Sequence, residues 1–430
     1  MSDARSFRES DGPAVSSSIA LATWGLFAGL VLLMFAGGLF ATLIGVRAER
    51  AGLATAVSSA IAAAYYVGFL VGSRLTLLSL GKVGHIRVYS ALASVLAAAI
   101  AAVGITDSSV AWIILRLVTG VCTAGVYVVA ESWLNDLATN ENRGRLLAVY
   151  GVLTMLFYGL GQFALTVFDG RLLIGFAVAA IVTSVAVAPV SLSEGAVAPT
   201  VGRLEHISLR ELAKVVPTGV VSCLLIGIAH GALAGMSAVY ATRVGMSAAM
   251  IGLFVALPSI GGVVLSWPIS AASDDVDRRA VGVAAGGGAT VVALLLLLGP
   301  PTHPVALALV ALLGGLSYPL YSIAGAYTND WVEPEHVNAA ASQLVTLYGI
   351  GAVIGPFVAA GAMIAFEPVG FLWSLAALHA LIAVFFVYRM AVWRAPLAKR
   401  PWDEVSLPAR AFFVPATIIA MGRRARRRIG

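Results

Sequence analysis

Twelve long apolar runs decide what this chain can become. They fall at about 20–46, 53–77, 88–106, 110–134, 146–168, 172–191, 216–241, 250–272, 280–299, 305–328, 338–366 and 369–390. Each is long enough to cross roughly 30 Å of hydrocarbon as a helix. Only 11% of the residues are charged and 60% are hydrophobic, where a soluble globular chain carries about 25% charged residues. Core burial cannot absorb so much apolar surface, but a bilayer can. The 45 glycines suit helices that pack closely in lipid. The expectation is an all-α integral membrane protein with twelve transmembrane helices. The polar stretch of about 18 residues at the N-terminus precedes an apolar run too long for a signal-peptide core, so no cleavage is expected. Cys122 and Cys223 lie inside apolar runs and read as small buried residues, with neither a disulfide framework nor metal-ligand spacing.

Charge sets the orientation. With the N-terminus inside, the outer segments hold only Arg47, Arg50, Arg171 and Arg243, and roughly 22 of the 27 Lys and Arg fall on the inner side. Both termini are therefore expected on the cytoplasmic side of the membrane. The net charge of +6 is mostly this topology signal and does not point to nucleic acid. The chain divides into a tail at 1–19, a bundle at 20–191, a cytoplasmic linker at 192–215, a second bundle at 216–390 and a basic tail at 391–430. Within the linker, Ser208 precedes a periodic run and Glu211 stands at capping-box spacing, which predicts a short surface helix. In the last tail, Arg423, Arg424, Arg426, Arg427 and Arg428 can attract anionic lipid or simply be solvated. The short apolar run at 411–422 can lie in the interface.

The two halves repeat at an offset of 193 to 194 residues. Asn135-Asp136 matches Asn329-Asp330, Gly161-Gln162-Phe163 matches Gly355-Pro356-Phe357, and the segment 81–87 lies opposite 274–279. One consistent offset at three places implies two pseudo-symmetric six-helix bundles related by an axis along the membrane normal. Transporters built this way bind solute near the midplane and rock between two open states.

Two charges stand inside apolar runs. Arg116 and Glu131 share a stripe of the fourth span with Gly120, Thr123 and Tyr127, and 15 residues of helix set them roughly 22 Å apart. A charge at mid-membrane costs about 2.5–3.5 kcal/mol, so such residues usually face a protein interior or a watery cavity. The alternatives are that Arg116 bonds a neighbouring backbone and that Glu131 lies at the cytoplasmic boundary. Span seven holds His230, either a titrating group or a neutral ring satisfied by a carbonyl. Span ten holds Tyr318 and Tyr321 around Pro319, a kink position; these rings either pack or touch solute. Gln162 and Gln343 either bond a polar solute or bridge helices.

The loop 267–279, reading WPISAASDDVDRR, resembles the G-x-x-x-D-R-x-G-R-R signature of the major facilitator superfamily. Asp274, Arg278 and Arg279 match it, and Ser270, Asp275 and Asp277 depart from it. The N-terminal counterpart has Gly81 where the aspartate would stand. Arg116 to Gly120 resembles the family's R-x-x-x-G element, which the resemblance links to proton coupling. The antiporter element G-x-x-x-G-P of span five is missing its proline at 159–163, and a similar element stands at 351–356 in span eleven. The stretches 38–53, 65–73, 83–90, 130–135 and 142–150 together resemble the bacterial YcaD-like branch. The resemblance implies that spans one, four, seven and ten line a central cavity, and that His379 of span twelve belongs to an outer ring.

A carboxylate at an inner helix end can cap a helix, and a nearby arginine can pair with it. A cytoplasmic latch is expected from Asp274, Arg278, Arg279 and Asp330, with His85 or Arg87 approaching Asp136 and Arg143 close by. Arg278 should pair with Asp330, and the N-terminal latch should be the weaker. The function expected is proton-coupled transport of a small organic solute by a monomer without cofactors. Arg116 would hold an anionic group or tune a neighbouring pKa, and Glu131 or His230 would carry the proton. An interior with one cation and few carboxylates fits an anionic or neutral solute better than a cationic drug. Two other readings are a non-transporting membrane sensor or scaffold and a drug-efflux antiporter. An enzyme is not expected, because the chain has no G-x-S-x-G element and no phosphate-binding loop.

Overall fold

The computed structural model describes residues 13–138, 143–168, 170–193, 207–333 and 336–392. The basic tail, its run at 411–422 and most of the first half of the linker lie outside the described residues.

Among the described residues, twelve helices are long and apolar enough to cross a membrane. We number them spans 1 to 12: Thr23–Arg50, Thr55–Val83, His85–Ile105, Ser109–Leu137, Val149–Phe168, Leu172–Ser191, Pro217–Arg243, Ala248–Asp275, Arg278–Leu295, Pro304–Asn329, Val337–Ala365 and Gly370–Val392. Their ends fall within a few residues of the sequence expectation. Span 5 tightens into a 3-10 turn at Ala164–Phe168, and span 10 is interrupted at Tyr318, just ahead of Pro319. Proline has no N–H to donate and its ring crowds the preceding turn.

The first six spans form one bundle and the last six another. In the first, span 2 packs on 4, 1 on 5, and 3 on 6; in the second, span 8 packs on 10, 7 on 11, and 9 on 12. The second set repeats the first, six spans on. Between the bundles, span 2 meets span 11, span 5 meets span 8, and span 1 meets span 7. The linker and the starts of spans 1 and 7 share one end of the molecule, here the linker end; spans 1 and 7 finish at the far end.

The linker helix Leu209–Val215 begins with both halves of a capping box. The Ser208 hydroxyl and backbone N–H donate to the Glu211 carboxylate at 2.7 and 2.8 Å, and these bonds hold its carboxyl below the usual range. Gln343 donates to the Ile207 carbonyl at 3.0 Å. It pins the linker to span 11.

Lipid gives helices little hydrophobic reason to associate, so close backbone approach has to hold them. Gly120 shows how. A Cβ there would collide with the Tyr65 carbonyl of span 2. The crossing it permits brings the Tyr65 ring to within 4.4 Å of the Arg116 guanidinium, one turn along span 4. Gly120→Ala should cost about 1–3 kcal/mol by overpacking, read as a lower unfolding midpoint in detergent. Gly361→Ala, where a Cβ meets nothing within 4 Å, should be neutral; equal effects would contradict the crossing argument.

Candidate functional site

Span 4 is one continuous helix from Ser109 to Leu137, so Arg116 and Glu131 ride on one rigid rod. Arg116 is buried and lines two cavities. The first lies within the first bundle; the second lies between spans 1, 2, 4, 5 and 7. Phe40 and Tyr65 flank the guanidinium, with ring centres 5.4 and 4.4 Å away. Among the described residues no carboxylate comes within ion-pair distance of it, and its Nε is buried without a hydrogen-bond partner. Tyr127 lines the first cavity, and its hydroxyl meets the Met34 sulfur at 3.0 Å. Sequence reasoning missed Tyr65 and Tyr158, which line both cavities. They stand in apolar runs and carry no charge to betray them.

The other expected pathway residues lie elsewhere. Glu131 is buried toward the linker end of span 4 and lines neither cavity. Gln162 is buried near the far end of span 5, also off both linings. His230, Tyr318 and Tyr321 are packed inside the second bundle. His230 Nε2 lies 3.1 Å from the Ser317 carbonyl and Nδ1 lies 3.0 Å from the Tyr348 hydroxyl. A carbonyl can only accept, so Nε2 carries the proton, and Nδ1 accepts from Tyr348 when the ring is neutral. His379 of span 12 is fully buried. Its Nδ1 faces the Leu375 carbonyl at 2.7 Å and its Nε2 faces the Ser317 hydroxyl at 2.7 Å. The same logic makes it a neutral ring that accepts from Ser317. Four spans are thus joined by a polar cluster in which every ring nitrogen is used. Among the described residues no group of three or more His, Cys, Asp or Glu forms a metal site.

The bundles close on each other at the far end. Arg243, the last residue of span 7, donates from Nε and Nη2 to the two oxygens of Glu49 on span 1, both at 2.8 Å. Its Nη1 reaches the Thr55 hydroxyl at 3.0 Å and approaches Glu367 at 3.6 Å. One turn earlier Gly45 faces Ala238 so closely that an added Cβ would lie 2.8 Å from it. Glu49 and Arg243 are 194 positions apart, which makes them equivalent residues of the repeat. They meet because spans 1 and 7 face each other across the pseudo-symmetry axis.

Residues 218–426 match the family model described as Major Facilitator Superfamily. Among solved structures, the nucleoside transporter NupG aligns with a TM-score of 0.69 at 12% identity, covering 87% of this chain and 100% of that one. By fold, the chain is similar to transporters of the major facilitator superfamily. A D-xylose-proton symporter aligns with a TM-score of 0.65 at 13% identity, over 85% of this chain and 96% of that one. The chain is also similar to the uncharacterised MFS-type transporter YcaD of Salmonella typhimurium, 28% identical over 336 residues, which are 78% of this chain and 87% of the relative. That likeness supports the superfamily more than the branch.

The loop 267–279 joins spans of one bundle. Arg278 Nε lies 2.7 Å from Asp330 Oδ2, and Nη1 lies 3.1 Å from both Asp274 Oδ1 and Ser273 Oγ. Arg279 is forked onto Asp277 and donates to the Arg389 carbonyl at 3.0 Å. At the equivalent position of the first bundle, His85 Nε2 lies 3.5 Å from Asp136 and 3.1 Å from the Ser132 hydroxyl. Arg87 is exposed, and the Arg143 side chain lies outside the described ones. The pairs therefore brace spans 8, 9 and 10 in one bundle and spans 3 and 4 in the other. The expected pairings of Arg278 with Asp330 and of His85 with Asp136 are both present, each within one bundle.

The two braces differ in burial: the Asp330 side chain is 0% exposed and that of Asp136 is 42% exposed. Asp330→Asn strips a buried arginine of its main partner and should cost about 3–5 kcal/mol, read as a lower unfolding midpoint. Asp136→Asn should cost less than about 1 kcal/mol. Equal losses would contradict the role assigned to burial.

Proposed function

We propose that the chain moves a small organic solute across the cytoplasmic membrane by alternating access and couples that movement to protons. The observation that carries this reading is Arg116: a buried cation, without a carboxylate in ion-pair distance, placed on two cavities beside the meeting of two pseudo-symmetric bundles. A fixed charge in such a place is costly to the fold and useful to a passing solute. The excess of Lys and Arg in the segments at the linker end supports a cytoplasmic linker, cytoplasmic termini and an inner-membrane location. The far end then faces outward, and its closure by Glu49 and Arg243 fits an inward-facing state. The chain would work as a monomer.

Glu131 is the better proton carrier of the two candidates. It is buried on the same helix as Arg116 and stands one turn from Tyr127, which lines the first cavity. His230 has both nitrogens committed, one of them to a carbonyl that cannot change partners by rotation. Its part is to hold spans 7, 10 and 11 together. One of the superposed structures is named as a proton symporter, which shows that the fold accommodates this coupling.

The test is solute-driven proton movement in liposomes loaded with a pH-sensitive dye, across a panel of organic acids, sugars and nucleosides. Glu131→Gln should reduce proton movement at least about tenfold, in keeping with loss of a positioned acid–base group, while solute exchange at equal concentration continues. His230→Gln should lower stability and leave the proton-to-solute ratio unchanged. Full proton movement in Glu131→Gln would contradict the assignment. Tracer flux with no proton movement in the parent protein would make it a uniporter.

A further inference from the structure

The geometry around Arg116 points to the class of solute. We infer that the site takes a carboxylate with a single negative charge and an apolar body. This rests on the reading of the chain as a transporter and deepens it.

Begin with the guanidinium. Phe40 and Tyr65 rings cover its surroundings at 5.4 and 4.4 Å, within cation–π range. Rings placed over a planar cation leave its edge available, and the edge carries its N–H donors. Nε is buried and has no hydrogen-bond partner, and no carboxylate among the described residues lies in ion-pair range. An arginine edge with parallel donors matches the two oxygens of a carboxylate better than any single-point acceptor.

Next, count the charge. The other polar groups on the first cavity's wall are hydroxyls. Those of Thr119 and Thr123 already donate to the carbonyls of Arg116 and Thr119, at 2.9 and 2.8 Å. They can offer a ligand lone pairs, not protons. A second anionic group would therefore meet no cation, and desolvating an unpaired charge costs several kcal/mol. A cationic group would meet Arg116 itself. The rest of that wall includes Leu33, Leu96, Ile100 and Val126, an apolar surface for an apolar body.

The repeat adds a further point. Positions 194 residues on from Phe40, Tyr65, Arg116 and Tyr158 are Ala234, Ser259, Val310 and Ala352. The second bundle has no copy of the site. The anion would be held by the first bundle and would stay with it as the bundles rock.

Binding to the purified full-length protein tests this, with benzoate and hexanoate as monocarboxylates and phthalate, benzamide and benzylamine as controls. Benzoate should bind at least about tenfold tighter than each control, the difference expected for a charge-assisted pair. That comparison needs no variant. Arg116→Gln should erase the preference while benzamide binding stays as it was, and Arg116→Lys should restore it only in part. Equal binding of benzoate and benzamide, or an undiminished preference in Arg116→Gln, would overturn the proposal. Counterflow separates the two levels of the argument. Flux of neutral solutes with no carboxylate binding would leave transport standing and remove the anion assignment. Arg116-dependent carboxylate binding with no flux of any solute would keep the site and remove transport.

Discussion

A bilayer offers a helix almost nothing for burying one apolar surface against another, and this constraint runs through the whole structure. What holds twelve apolar helices in one arrangement must be close backbone contact and a small number of buried polar pairs. Gly120 lets span 4 approach span 2. Arg278 and Asp330 tie span 9 to span 10. Ser317 joins His230 to His379 and so joins spans 7, 10 and 12. Each of these contacts lies within one bundle. The bundles can then move as bodies, because the strong contacts travel with them.

Between the bundles the contacts are of a different kind. Small residues meet at Gly45 and Ala238, and one partly exposed ion pair, Glu49 with Arg243, crosses the axis. A partly hydrated pair can be broken and remade at low cost, whereas the fully buried pair of Arg278 and Asp330 cannot. The division suits a machine that opens at the axis and stays intact elsewhere. The two bundles repeat one packing pattern, and they depart from it at Arg116, whose repeat position is Val310.

Much of this was legible in the sequence, for physical reasons. A helix must be about 20 apolar residues long to cross a bilayer, so the spans show as runs. An arginine inside such a run is conspicuous because lipid penalises it, and Arg116 is indeed buried on two cavities. The pairing of Arg278 with Asp330 and of His85 with Asp136 followed from charges at helix ends. Both partners of each pair fall in the same half of the sequence, and in the structure each pair braces spans of one bundle. The partners of Gln343 and His379 were not legible in the sequence. Periodicity gives the face of a helix, while the identity of the neighbour on that face depends on tertiary packing. The Glu49–Arg243 pair did leave a signal: opposite charges at equivalent positions, 194 residues apart, at the ends of the two helices nearest the axis. Finding it requires comparing the repeats for complementarity as well as for likeness.

The central claim is that the bundles move as two bodies about an axis whose far end is held by Glu49 and Arg243. Paired spin labels test it most directly. One pair, at Ala51 and Ala249, spans the far end between exposed positions; the other, at Ser79 and Ala272, spans the linker end, again between exposed positions. Distances by pulsed electron resonance in liposomes would be compared with and without Arg243→Gln. The account predicts that the substitution lengthens the far-end distance and shortens the linker-end distance. An unchanged far-end distance, or two distances that change in the same direction, would contradict it.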